Sequence, residues 1–252
     1  MFGVCENDSY RRLIYKAAMV VVPGLFAIFR PEWLVSFFTF KIFFFRVYHV
    51  LWLMAILILF KRFIPRLNPK MSLGKIYARN FLSAGELTPP REKRFRESKR
   101  KADSGAVRSA IYWILLVLTI GFWRKAGMLS DTWIYIIVLF FVFMDQFCST
   151  VFCPFMWLAQ SKCCSTCRIN NWGYLMAFSP MIYIPSFWTC SILFMSAATF
   201  IQWEYLYFRH PERFYEQCNA NLMCRNCKRK VCKRTGKKLI AHGVQGLEKS
   251  FE

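Results

Sequence analysis

Long apolar runs alternate with short, strongly basic blocks along this chain, and this alternation constrains the fold more than any other feature. The chain is 56% hydrophobic and yet carries a formal net charge of +21. A soluble protein of 252 residues could not hide so much apolar surface while spreading its charges evenly. Apolar runs with basic flanks are typical of membrane spans. We therefore predict an all-α, polytopic transmembrane helical bundle.

A membrane-spanning helix needs about 20 predominantly apolar residues. Four runs approach this length and predict four full spans: Leu13–Phe29, Ile42–Phe60, Ser109–Trp123 and Thr132–Phe152. The first run contains Pro23, and no small-residue cleavage site follows it, so we predict a retained span rather than a secretory signal peptide. The apolar stretch Trp33–Phe45, which Lys41 interrupts, predicts an interfacial helix before the second span.

The last apolar stretch, Trp172–Trp203, contains Pro180 and Pro185, and each proline removes a helical hydrogen bond. The stretch has 32 residues, whereas two full crossings need about 40. One full crossing would place the basic tail on the side opposite the other basic block. We therefore predict a broken, re-entrant segment hinged near the two prolines, which keeps both basic blocks on one side of the membrane.

Composition divides the chain into four regions: N-terminal spans (1–60), a basic loop (61–108), a second membrane region with a cysteine-rich loop at 153–171 (109–203), and a basic, cysteine-rich tail (204–252). The loop holds 14 Lys and Arg against 4 Asp and Glu, and the chain after Trp203 holds 11 against 5. The positive-inside rule predicts that both face the cytoplasm, in a plasma or bacterial inner membrane.

The basic loop has the composition of a mobile segment with one short helix. Its charges are expected to set the topology and to contact anionic lipid headgroups. Neither the loop nor the tail has a base-stacking or groove-reading pattern, so we expect no nucleic-acid partner. Other membrane or redox subunits are expected as partners besides lipid, because the nine Trp and 27 Phe leave ample apolar surface.

Nine of the eleven cysteines fall into two groups. The first group consists of Cys148, Cys153, Cys163, Cys164 and Cys167, and the second of Cys218, Cys224, Cys227 and Cys232. Each group contains one C-x-x-C pair, a spacing that lets two thiolates bind one metal ion or cluster. Nearby Lys and Arg are expected to lower the thiol pKa values. Cys190, in an apolar run, is expected to be a packed hydrophobic side chain.

Cys153, Cys163, Cys164, Cys167 and the four tail cysteines supply eight thiolates, the number that two four-cysteine sites require. Disulfides are disfavoured in the cytoplasm. Iron–sulfur clusters are the leading prediction for these eight ligands, and structural zinc is the alternative. Cys153-Pro154 resembles the cysteine–proline pair of bacterial ferredoxins, and the layout is similar in general plan to membrane-bound polyferredoxin subunits of quinol dehydrogenases. The repeated ferredoxin motif is not reproduced.

Two ionisable side chains, His49 and Asp145, are predicted at membrane depth, where they are candidates for a quinone or proton site. In the alternative interpretation, His49 hydrogen-bonds a neighbouring helix while Lys41 and Arg46 reach the interface.

Glu204 ends the last apolar stretch. His210 is predicted to have an interfacial structural role or to join the metal site. The chain carries no P-loop, G-x-S-x-G or H-E-x-x-H motif.

The sequence thus leads to three functional hypotheses. The first is an electron-transfer subunit of an oxidoreductase complex, which passes electrons between a soluble donor and a membrane partner or quinone through iron–sulfur clusters. The second is a non-enzymatic membrane anchor or assembly subunit with a structural zinc site. The third is a membrane thiol-redox protein that uses Cys164 and Cys167 as an exchanging pair.

Overall fold

The computed structural model describes residues 4–42, 44–64, 76–151, 154–155 and 168–223. The helices of this part are α1 (Val4–Phe29), α2 (Pro31–Thr39), α3 (Val47–Phe63), α4 (Pro89–Lys125), α5 (Asp131–Thr150), α6 (Arg168–Phe178) and α7 (Phe187–Arg209). A two-stranded antiparallel hairpin, β1 (Lys41–Ile42) and β2 (Phe45–Arg46), precedes α3. Short 3-10 turns cover Ala78–Asn80, Ser179–Tyr183, Pro211–Phe214 and Ala220–Leu222.

The mostly helical fold that the sequence predicts is confirmed. Within the described residues, three helical segments are long and apolar enough to cross a membrane: Arg11–Phe29 in α1, the helix α4, and Asp131–Cys148 in α5. Many of their large apolar side chains point away from the protein, among them Phe29, Leu118 and Phe140. So much exposed apolar surface suits helices in contact with lipid rather than water.

The proline-containing stretch forms a helical hairpin rather than a continuous helix. Helix α6 ends at Phe178, a 3-10 turn with Pro180 follows, and α7 begins at Phe187 after Pro185. The hairpin is antiparallel: Trp172 of α6 lies 5.7 Å from Phe200 of α7 between ring centroids, while Phe178 packs in the same core cluster as Ile192. The break therefore lies at the two prolines, and α7 returns the chain to the end at which α6 begins.

Helix α4 is longer than the composition suggested. Its 37 residues include both the apolar third run and the basic stretch from Pro89 to Arg108, which together measure about 55 Å at 1.5 Å per residue. The basic part is helical because it has a partner: Phe95 packs edge-on against Tyr215, and Ser98 accepts a hydrogen bond from Gln217. The prediction of a mobile loop with one short helix is thus wrong for residues 89–108.

Residues 76–108 and 203–223 together form a small folded unit, called here the cap. Its core consists of Ile76, Trp203, Tyr207 and Phe214, each at most 2% exposed. Backbone hydrogen bonds join its two parts, from Ala84 N to the Cys218 carbonyl (2.9 Å) and from Ala220 N to the Leu82 carbonyl (2.8 Å). The end of the bundle that carries the cap is called the basic end.

The other end of the bundle, the opposite end, is built from short connections and aromatic rings. It comprises α2, the β-hairpin, the turn between α4 and α5, and the turn between α6 and α7. Gly127, with φ of +75°, closes the α4–α5 turn in a backbone conformation that favours glycine. The rings of Tyr48, His49, Trp52 and Phe187 surround Trp188 there, with centroids 4.6 to 6.2 Å away.

Candidate functional site at the basic end

The guanidinium group of Arg168, at the start of α6, is bound by two carboxylates from two other helices. Its Nε lies 3.1 and 3.0 Å from the carboxylate oxygens of Glu204 in α7, and its Nη2 also donates to Glu204. Its Nη1 donates to Asp103 Oδ1 in α4 at 2.9 Å. The side chains of Arg168 and Glu204 are only 14% and 13% exposed, so this pair is shielded from solvent. Three helices are joined at one side chain.

Aromatic rings complete the surroundings of this ion pair. The Arg168 Cζ lies 4.4 Å from the Tyr207 ring centroid, a cation–π distance, and the Trp172 indole N–H donates to Glu204 Oε1 at 2.7 Å. Burial alone would lower the pKa of Arg168, but the hydrogen bonds and charge of Glu204 outweigh it and raise the pKa. Arg168 is therefore a permanent cation in this site.

Two tyrosines extend the network into the cap. The Tyr207 hydroxyl donates to Asp103 Oδ1 at 2.6 Å and lies 2.7 Å from the Tyr215 hydroxyl. Burial, together with neighbouring Tyr215 and Asp103, raises the pKa of Tyr207. Burial likewise raises the pKa of Tyr215 to about 12. Both phenols remain neutral hydrogen-bond donors at any physiological pH.

This network holds the two ends of the hairpin together. Arg168 follows Cys167 in the sequence, and Glu204 is the first residue of the tail. Because the two side chains form an ion pair, the start of α6 and the end of α7 lie side by side. Glu204 was singled out by sequence, but Arg168 was not, because a single arginine beside a cysteine-rich loop resembles the other basic residues of the chain.

Seven of the eight predicted metal ligands lie outside the described residues: Cys153, Cys163, Cys164, Cys167, Cys224, Cys227 and Cys232. Among the residues that are described, no group of three or more His, Cys, Asp or Glu side chains converges in a way that could hold a metal ion.

Cys218, the eighth predicted ligand, is buried in the cap and carries a free thiol. Burial, aided by the charge of Glu212, raises its pKa, and the opposing effect of Arg91 is weaker. The expectation that basic neighbours lower the thiol pKa is therefore wrong for Cys218. Cys190 is exposed on α7, so the expectation that it is a packed side chain is also wrong.

His49 and Asp145 are not brought together. His49 lies in the first turn of α3, where its Nδ1 accepts a hydrogen bond from the Arg46 backbone N–H at 2.9 Å. Asp145 lies near Tyr174. Arg62, which follows His49 in α3 by thirteen residues, lies near Tyr174 as well. Thirteen residues correspond to about 20 Å of helix. A joint quinone or proton site of His49 and Asp145 is incompatible with this separation, and His49 acts as a helix-capping residue.

Asp145 instead belongs to a polar cluster that four helices share. Its carboxylate packs against α6 so closely that a Cβ atom at Gly173 would lie 2.6 Å from Oδ1. Lys16 of α1 donates to the Val142 carbonyl at 3.4 Å, one helical turn from Asp145. Arg62 of α3, 7% exposed, places its Cζ 4.5 Å from the Tyr174 ring centroid. Lys16 and Arg62 were not identified by sequence, because each lies at the edge of an apolar run.

His210 contacts neither predicted group of metal ligands in the described part of the chain. Its Nδ1 lies 3.1 Å from Glu212 Oε1, and its side chain is 43% exposed. This contact closes the turn between α7 and the following 3-10 segment, and an interfacial role for His210 stays a prediction.

No protein-family model, curated protein or solved structure matches this chain.

Proposed function

We propose that this protein is an integral membrane metalloprotein whose cysteine-rich loop and tail together bind iron–sulfur clusters. In this proposal it passes electrons between a soluble donor and a membrane partner or quinone. The observation that carries the proposal is the α6–α7 hairpin. The ion pair of Arg168 with Glu204 holds together the two points at which the loop and the tail join the bundle, so the described residues that border the two groups of cysteines lie at the same end.

The proposed topology has four full spans, α1, α3, α4 and α5, followed by the re-entrant α6–α7 hairpin. Contacts along the helices support it: Lys16 meets α5 near Val142 while Ala27 clusters with Ile136, so α1 and α5 are antiparallel. The basic end carries the positive cap, and the positive-inside rule places it in the cytoplasm of a plasma or bacterial inner membrane.

The chain's own part in this chemistry is to supply thiolate ligands and surrounding charge. An iron–sulfur cluster would supply the one-electron redox step. The proposal takes as ligands the loop residues Cys153, Cys163, Cys164 and Cys167 and the tail residues Cys218, Cys224, Cys227 and Cys232. A bound metal would itself deprotonate the buried Cys218 thiol. Eight thiolates are enough for two four-cysteine sites.

A structural zinc site is the second candidate, and the cap favours it. Residues 203–223 are already fastened to residues 76–108 by backbone hydrogen bonds and by a buried aromatic core. A zinc ion bound by the following cysteines would extend this fastening without any redox chemistry. The protein would then be a membrane anchor or assembly subunit rather than an electron carrier.

Measurement of the metal content of protein purified in mild detergent without oxygen tests the proposal. Iron, acid-labile sulfide and broad visible absorbance would support iron–sulfur clusters. Colourless protein with stoichiometric zinc would establish the second candidate instead. Metal-free protein in which Cys164 and Cys167 interconvert with a disulfide would point to the thiol-redox hypothesis.

Three serine variants identify which thiols hold the metal. Cys227→Ser and Cys218→Ser are expected to lose bound metal, whereas Cys190→Ser is expected to retain it, because Cys190 is exposed on α7 and belongs to neither group. Retention of all bound metal by Cys218→Ser would remove Cys218 from the ligand set.

A further inference from the structure

The basic part of α4 has one face that packs on residues 203–223 of the cap and one that is exposed. Phe95, Ser98 and Asp103 point toward residues 203–223. The exposed face carries Lys93, Arg94, Arg96, Glu97, Arg100, Lys101 and Arg108. It thus presents six cations against the carboxylate of Glu97, and Glu92 adds a second, half-exposed carboxylate at its edge. Lys93, Arg96 and Arg100 follow one another at i, i+3 and i+7, so they form one stripe along the helix.

Most of this stripe lies too far from the membrane to contact the headgroups of the lipids around the protein. Lys93 precedes Arg108, the last charged residue before the apolar part of α4, by fifteen residues, which is about 22 Å of helix. The headgroup layer is only about 5–8 Å thick on each side. Charges are screened within about 8 Å at physiological ionic strength. Arg108 and Lys101 can therefore contact headgroups, but Lys93 and Arg96 stand clear of them.

The stripe is also rigid. The same helical turns are held on their other face. There Phe95 packs on Tyr215, and Ser98 accepts a hydrogen bond from Gln217. Of its three cations, only Arg96 has a carboxylate partner in the described part of the chain, and this pair with Glu92 is exposed, with side chains 78% and 45% accessible. Exposed pairs of this kind are worth less than about 1 kcal/mol, so Arg96 remains available to another carboxylate.

We propose that Lys93, Arg96 and Arg100 form a docking surface for an acidic soluble protein. Carboxylates at helical spacing on a partner would match the three cations, whose spacing is fixed before binding. Nucleic acid fits less well, because Phe95, the aromatic residue of these turns, is turned into the cap and cannot stack on a base. The proposal does not depend on any bound metal.

The test uses the full chain in nanodiscs of neutral phosphatidylcholine and a fluorescent peptide of ten glutamates as the probe, with anisotropy read at low salt. The stripe variant Lys93→Gln, Arg96→Gln and Arg100→Gln removes three charges and keeps helix propensity. The matched control, Arg30→Gln, Lys41→Gln and Lys125→Gln, removes three exposed charges at the opposite end. Near-ultraviolet circular dichroism verifies that both variants remain folded.

We expect the stripe variant to bind the peptide about tenfold more weakly than the wild type, since three exposed ion pairs of about 0.5 kcal/mol each are lost. The control variant is expected to bind like the wild type. Equal weakening in both variants, or none in the stripe variant, would overturn the proposal. It would equally be overturned by stripe-dependent binding of a uridine decamer, or of phosphatidylserine vesicles, that is tighter than binding of the peptide.

Discussion

The two ends of the bundle are closed by different physical means. At the basic end, Arg168 and Glu204 form a shielded ion pair, and the more exposed Asp103 extends its hydrogen bonding to a third helix. At the opposite end, aromatic rings around Trp188 pack edge to face, and the ion pair there, Arg124 with Asp131, is exposed. The contrast indicates where the structure is rigid: polar groups removed from solvent tolerate few arrangements, whereas ring contacts and exposed pairs tolerate many.

The largest effect is expected for Arg168→Ala. Removal of this guanidinium leaves Glu204 shielded from solvent without its partner, and the free energy of unfolding should fall by about 3–5 kcal/mol. Arg124→Ala is the matched control, because the side chains of its pair are 35% and 55% exposed, and should cost less than about 1 kcal/mol. Unfolding in mixed detergent micelles, followed by tryptophan fluorescence, measures both. Equal losses of unfolding free energy in the two variants would show that the two ends do not differ in how much their ion pairs stabilise the fold.

Next in size is Gly173→Ala, which examines how closely the basic half of the bundle is packed. The new Cβ would lie 2.6 Å from Asp145 Oδ1, which must move, and overpacking of this kind costs about 1–3 kcal/mol.

The control for this variant is Gly24→Ala in α1, where a Cβ meets nothing within 4 Å and the helix should gain up to about 1 kcal/mol. The same unfolding measurement compares the two. Both variants gain helix propensity, so a Gly173→Ala protein as stable as the Gly24→Ala protein would show that the Asp145 side chain moves aside without cost.

Alkaline pH should weaken the basic end through its tyrosines. Because the pKa of Tyr215 is raised from 10 to about 12, an unfolded chain ionises this phenol between pH 10 and 12 while the folded chain does not. The contribution of this phenol to the free energy of unfolding is complete below pH 10. It is lost as pH rises toward 12, at up to about 1.4 kcal/mol per pH unit.

The Tyr215→Phe variant should therefore show a shallower fall in unfolding free energy over this range than the wild type. If Tyr215→Phe has the slope of the wild type, the phenol does not ionise differently on unfolding.

The smallest effect is expected at the opposite end, for His49→Ala. This change removes the acceptor for the Arg46 backbone N–H and one ring beside Trp188, and loss of a helix cap costs about 1 kcal/mol.

His49→Asn keeps a side-chain acceptor and should recover part of the loss, as measured by the same unfolding assay. A loss as large as that of Arg168→Ala would mean that His49 does more than cap α3.

The sequence by itself determined the broad fold. The apolar runs predicted α1, α4 and α5, because a lipid-facing helix must show its hydrophobicity residue by residue. Pro180 and Pro185 predicted where the last stretch breaks, since proline removes a backbone donor wherever it occurs. Glu204 and Asp145 were noticed because carboxylates are rare in apolar runs.

Only the tertiary structure decided which of these residues meet. Arg168 pairs with Glu204 across 36 positions and with Asp103 across 65, and no local pattern encodes such pairings. The basic stretch of α4 looked mobile because its partners, Tyr215 and Gln217, lie more than a hundred residues away. His49 and Asp145, similar in sequence context, are separated because hydrogen bonding and helix direction place them at different ends.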